Sequence, residues 1–152
     1  MKILSSEGDC FELKIIGYQY PNIVDDYWDS NWLLIKIDVI YEGKTWSAVD
    51  ACLTTFDVAR LASWLKDIQI TDKRKPTCSF TEPNLTFQVV QSNSMEVLRI
   101  FFEFKFRPTW AYSNIAGLED LWIDFALAEI NPLTNAQELL SQLQNYPQRV
   151  FR

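Results

Sequence analysis

Apolar residues recur at every second position from Leu33 to Tyr41, so Leu33, Ile35, Ile37, Val39 and Tyr41 share one face. Lys36 and Asp38 stand on the other with Leu34 and Ile40. A period of two marks a strand with one dry face and one mixed face. Glu42-Gly43 follows as a two-residue loop in which glycine tolerates positive φ, and the chain resumes as Lys44-Thr45-Trp46-Ser47-Ala48-Val49-Asp50. This pattern predicts a β-hairpin. The period changes after Thr54-Thr55-Phe56-Asp57, where Val58, Leu61, Leu65 and Ile68 recur at three- and four-residue spacing, with Ala62 and Trp64 widening the stripe. The Thr54 hydroxyl is placed to accept the N–H of residue 57, and the Asp57 carboxylate sits at the positive end of the helix dipole. A principal helix over about 55–68 is predicted, one side lying on the sheet. Burying its four aliphatic side chains contributes about 6–10 kcal/mol before chain entropy is subtracted.

The flanking segments read as more of the same sheet structure. Phe11-Glu12-Leu13-Lys14-Ile15 alternates cleanly after a turn at Gly8-Asp9, and Ile16-Gly17-Tyr18-Gln19-Tyr20 extends it with a bulge at Gly17. Pro21-Asn22 ends that strand, leaving residues 23–30 as a loop. Thr71-Asp72-Lys73-Arg74-Lys75-Pro76 is a charged connector beyond the helix, its cations facing the C-terminal carbonyls. Leu85 to Val89 alternates, Ser92-Asn93-Ser94 turns, and Val97 to Phe106 returns with Leu98, Ile100, Phe102, Phe104 and Phe106 in one row. Residues 107–120 read as loop, Leu121 to Ile130 as another strand closed by Pro132. Thr134-Asn135-Ala136-Gln137 has the spacing of a capping box before a short helix over about 135–145. The expected fold class is α+β, a mainly antiparallel β-sheet bent or stacked as a sandwich, with one principal and one terminal helix.

Length and composition narrow the class. A chain of 152 residues that is 48% hydrophobic suits a single domain, 1–152. Aromatic residues make up 14% of it, which favours β structure; core filling accounts for most such residues. The net charge of −6 opposes a grip on nucleic acid, whose phosphates demand many cations, and suits a basic partner as well as plain solubility. Cys10, Cys52 and Cys78 are odd in number and lack a CxxC pair, so free buried thiols in a reducing compartment are expected. The start of the chain carries no long apolar run and no stretch reaches the ~18 apolar residues of a membrane span. A cytoplasmic protein that needs no membrane is the expectation.

Candidate chemistry is thin. With no histidine, the usual Ser-His-Asp and Cys-His hydrolases are excluded, and no glycine-rich phosphate cradle appears. Glu82, Glu103 and Asp124 remain as carboxylates for glycosidase-like work. We expect no enzyme, no cofactor and no metal. The most interaction-like stretch is the loop holding Asp25, Asp26, Tyr27, Trp28 and Asp29, which combines carboxylates with large rings. It admits three readings: a solvated structural loop, a partner contact, or oxygen ligands for a metal, though a calcium loop's glycine and closing glutamate are missing. A second functional class is a non-catalytic pocket for a small apolar or aromatic ligand, lined by Phe101, Trp110, Tyr112 and Trp122.

Several short motifs point further. Phe11-Glu12-Leu13 with Gly17-Tyr18, Asp29-Ser30-Asn31-Trp32-Leu33, Trp46, Asp50-Ala51-Cys52-Leu53-Thr54, Trp64-Leu65, Glu82-Pro83-Asn84-Leu85 and Arg107-Pro108 resemble the WapI family of bacterial immunity proteins, over about residues 3 to 110. The resemblance implies a cytoplasmic protein that binds and neutralises a cognate polymorphic toxin, often a nuclease, without catalysis. Nuclease toxins tend to be basic where they hold phosphate, which makes the acidic 25–29 loop the expected contact.

Overall fold

The computed structural model describes residues 1–70, 75–110 and 120–150. Its first sheet has the order β1 (Lys2–Leu4), β2 (Cys10–Tyr18), β3 (Trp32–Tyr41), β4 (Lys44–Thr54), and every pairing is antiparallel. The predicted hairpin is β3–β4: Tyr41 pairs with Lys44 across Glu42 and Gly43, both at positive φ (50° and 77°). That is the backbone twist which a two-residue turn needs to match right-twisted strands. The bulge expected near Gly17 is present as a register shift between Ile15 and Gly17. The second sheet runs β5 (Thr77–Cys78), β6 (Leu85–Ser92), β7 (Met95–Phe102), β8 (Leu121–Ala126), again antiparallel. The inner faces of the two sheets meet through rings: Phe11 lies 6.0 Å from Phe87 and 5.9 Å from Phe102, and Trp46 lies 5.3 Å from Phe102. The α+β class and the stacked antiparallel sheets are as expected.

Helix α1 (Thr55–Ile70) starts at the predicted cap. Thr54 Oγ1 accepts from the Asp57 N–H at 3.1 Å while the Asp57 carboxylate accepts from the Thr54 N–H at 3.0 Å, a reciprocal capping box. Val58, Leu61, Ala62, Leu65 and Ile68 are all buried. The stripe does not lie on a sheet alone: α1 packs most extensively on α2 (Pro132–Asn145), with Trp64 reaching Phe87 of the second sheet.

Three boundaries differ from expectation, each for a local reason. The returning strand stops at Phe102 rather than Phe106; Phe104 takes φ 52° in a 3-10 turn, so Phe104 is 63% exposed while Phe106 is fully buried and its carbonyl accepts from the Trp46 indole. Strand β8 likewise ends at Ala126, before a 3-10 turn over Leu127–Glu129. Pro132 opens α2 instead of closing a strand, because a proline at the first helical position forfeits no hydrogen bond; the cap is Asn131, whose side chain accepts from the Thr134 N–H at 3.1 Å. Residues 71–74 of the predicted connector and 111–119 of the predicted loop lie outside the described residues.

Short β1 leaves much of β2 unpaired, and α2 supplies the missing partners. Gln142 accepts from the Ile15 N–H at 2.7 Å and donates to the Leu13 carbonyl at 3.1 Å, as a neighbouring strand would. Glu138 accepts from the Lys2 N–H and Asn135 donates to the Lys2 carbonyl, closing the outer edge of β1. Covered edges deny a template to other chains. Gln142→Leu should therefore lower stability by about 1–3 kcal/mol, because the half-buried Ile15 N–H loses its partner, while the Leu13 carbonyl keeps the Met1 amino group at 2.9 Å. The urea midpoint should fall for this variant and hold for Gln144→Leu, whose side chain is exposed.

Candidate functional site

The 25–29 loop is a built structure rather than a loose connection. The Asp26 carboxylate accepts from the N–H groups of Trp28 at 2.8 Å and Asp29 at 2.7 Å, so one acid shapes the backbone entering the 3-10 turn at Asp29–Asn31. The Ser30 hydroxyl answers by accepting from the Asp26 N–H at 3.1 Å, and the Ser30 N–H reaches the Asp26 carbonyl at 3.1 Å. Such side-chain-to-backbone pairing is the ordinary work of Asp and Ser in turns. Asp25 and Asp29 are exposed beside it.

The loop's aromatics are held from below. Tyr27 is half-buried and stacks on Phe56, centroids 5.3 Å apart with the planes 10° from parallel. Trp28 stands edge-on to Tyr27 at 5.2 Å and to Phe56 at 5.4 Å, yet remains 49% exposed. Trp28 is therefore the presented ring, with Tyr27 and Phe56 as its support. Phe56 belongs to the first turn of α1, so the capping box that starts the helix also fixes the platform under the loop. Sequence reasoning missed Phe56. The available signal was its place off the buried stripe of α1, beside a cap.

Asn31 ties this assembly to the rest of the protein. Its side chain is fully buried; Oδ1 accepts from the Thr55 hydroxyl at 2.9 Å and from the Arg149 N–H at 3.0 Å, while Nδ2 donates to the Tyr27 carbonyl at 2.8 Å. A buried amide with this many partners specifies one arrangement of the three segments it joins.

The other candidate groups are elsewhere. Asp124 is engaged by Arg99 through two bonds of 2.8 and 2.9 Å, and that bonding raises the pKa of the guanidinium. Glu103 approaches Arg107 at 3.9 Å, and Glu82 is exposed in the β5–β6 connection. Among the described residues, no cluster of three or more His, Cys, Asp or Glu side chains could hold a metal ion. The proposed ligand rings do not converge: Phe101 and Trp122 are cross-strand neighbours 5.8 Å apart, whereas Trp110 packs on Trp46 at 5.7 Å with Lys44 over its face. Tyr112 lies outside the described residues. Two open clefts, of about 330 Å³ beside Ile68 and Leu127 and about 540 Å³ over Cys10 and Asp38, are lined by neither Phe101, Trp110 nor Trp122.

All three cysteines are free and buried, as expected. Burial pushes each thiol upward, Cys78 to about 11, which leaves it protonated at neutral pH. Among the described residues, no helix is long and apolar enough to cross a membrane.

A family model, the immunity protein WapI-like family, matches residues 2–147, which extends the likeness past residue 110 and takes in α2. No curated protein and no solved structure matches the chain.

Two outcomes follow from the site. Asn31→Ala should cost about 2 kcal/mol or more, since it strands the Thr55 hydroxyl and the Arg149 N–H; denaturant unfolding measures this, and Trp28 emission should shift to the red. At pH 8, a thiol reagent should modify Cys52 and Cys78 far more slowly in the native protein than in urea, where all three cysteines react.

Proposed function

The chain belongs to the immunity protein WapI-like family, and from that premise we propose that it neutralises a cognate toxin of a polymorphic toxin system by occupying it stoichiometrically, without catalysis. In this reading the 152 residues act as one cytoplasmic domain. The toxin is basic at its contact surface, as a nuclease is where it holds phosphate. The observation that carries the proposal is Trp28: a large ring, 49% exposed, fixed by two supporting rings and flanked by Asp25 and Asp29. A rigid aromatic loses little entropy when a partner closes over it, so more of its contact energy survives as affinity. The carboxylates around it speed encounter with a basic surface and orient it. A net charge of −6 works in the same direction at longer range. The three acids divide their labour: Asp25 and Asp29 steer, while Asp26 also shapes the turn.

The toxin should be encoded beside this gene, and co-expression with it tests the assignment. Trp28→Ala should weaken binding by about 2 kcal/mol or more, chiefly through faster dissociation, and should reduce protection. Asp25→Asn with Asp29→Asn should cost less and slow association, an effect that fades at high salt. Folded variants that protect and bind like wild type at low and high salt would place the interface elsewhere.

A further inference from the structure

We propose that Arg149 is a latch which holds the candidate contact loop in its binding shape, so that the tail following α2 sets how long a bound toxin stays. The inference rests on the reading of the 25–29 loop as the contact surface. The tail is seated across the end of β2: Tyr146 lies edge-on to Tyr18 at 5.7 Å, and the Tyr18 hydroxyl donates to the Pro147 carbonyl at 2.5 Å. Arg149 then spans the loop. Its guanidinium lies 3.4 Å from the Tyr18 ring centroid and donates to the carbonyls of Pro21 and Ile23, both at 3.0 Å, with Tyr20 at 3.4 Å. Its backbone N–H donates to Asn31 Oδ1 at 3.0 Å.

One residue thus grips the entry of the loop at 20–23 and, through Asn31, its exit. The segment between those two grips carries Asp25, Asp26, Tyr27, Trp28 and Asp29. Fixing both ends of a short segment removes conformations that a partner would otherwise have to remove on binding. The chemistry suits arginine in particular, because a planar guanidinium can lie on a ring face while its edge donates to carbonyls; an ammonium cannot do both. Carbonyl acceptors carry no net charge, so the latch should respond little to salt, unlike steering by the loop carboxylates. Exposed carbonyls at Tyr20 and Pro21 would be satisfied by water without the arginine. Arg149 therefore acts as a positioning residue, ordering the loop rather than rescuing stranded polar groups.

The test uses the full chain as wild type, Arg149→Ala and Arg149→Lys, variants that release the guanidinium's grip on the loop entry and keep the backbone N–H on Asn31. In native-state hydrogen exchange on the free protein, the amides of Trp28, Asp29, Ser30 and Asn31 should exchange about tenfold faster in Arg149→Ala, while those at the centre of α1 keep their rates. Arg149→Lys should recover part of the protection. Dissociation from an inactivated form of the toxin encoded in the adjoining gene should rise by about tenfold in Arg149→Ala, with association and its salt dependence unchanged. Unchanged loop amides would overturn the latch, and so would faster exchange spread evenly through α1. Faster loop amides with an unchanged dissociation rate would overturn control of toxin residence and locate the failure in the 25–29 contact surface, leaving the ordering by Arg149 intact.

Discussion

The carboxamide of Asn31 is fully buried, and a polar group without access to water must find its hydrogen bonds inside the protein or cost free energy. Its three partners come from the loop at Tyr27, the start of α1 at Thr55 and the tail at Arg149. Satisfying that one side chain therefore requires that all three segments be in place together. The exposed Trp28 depends on this constraint. Its supporting rings come from the loop and from α1, and those two meet correctly only when the amide between them is paired.

A second structural demand sits behind the first. An unpaired sheet edge is a template for pairing with other chains, and β2 outruns its short partner β1. The side chains of α2 act there as a substitute strand, with Gln142, Glu138 and Asn135 meeting the backbone of β1 and β2. The same helix is packed on α1 and leads into the tail that reaches the loop. Edge protection and loop placement are thus served by one C-terminal stretch, of which the family match takes in the helix but not Arg149.

What the sequence made legible was whatever local spacing determines. The β3–β4 hairpin and the start of α1 could be read because alternation, a Glu-Gly turn and a Thr-x-x-Asp cap act within a few residues. The loop was legible as a set of side chains but not as a structure. Its support comes from Phe56, Thr55 and Arg149, distant in sequence and without periodicity to announce them. The run ending in Phe104 and Phe106 misled for the opposite reason: alternation persisted after the strand had ended, because the turn at Phe104 sends Phe106 inward by a different path. The three residues of β1 were too few to carry a pattern.

In the proposed function, recognition turns on the rigid presentation of Trp28 beside carboxylates. Hydroxyl-radical footprinting measures it directly, by comparing side-chain oxidation in the free protein and in its complex with the proposed toxin partner. Trp28 should be readily oxidised alone and strongly shielded in the complex, with Trp122 unchanged as an exposed reference on the second sheet. Equal oxidation of Trp28 in both states, with shielding on the Phe101–Trp122 face instead, would contradict this account.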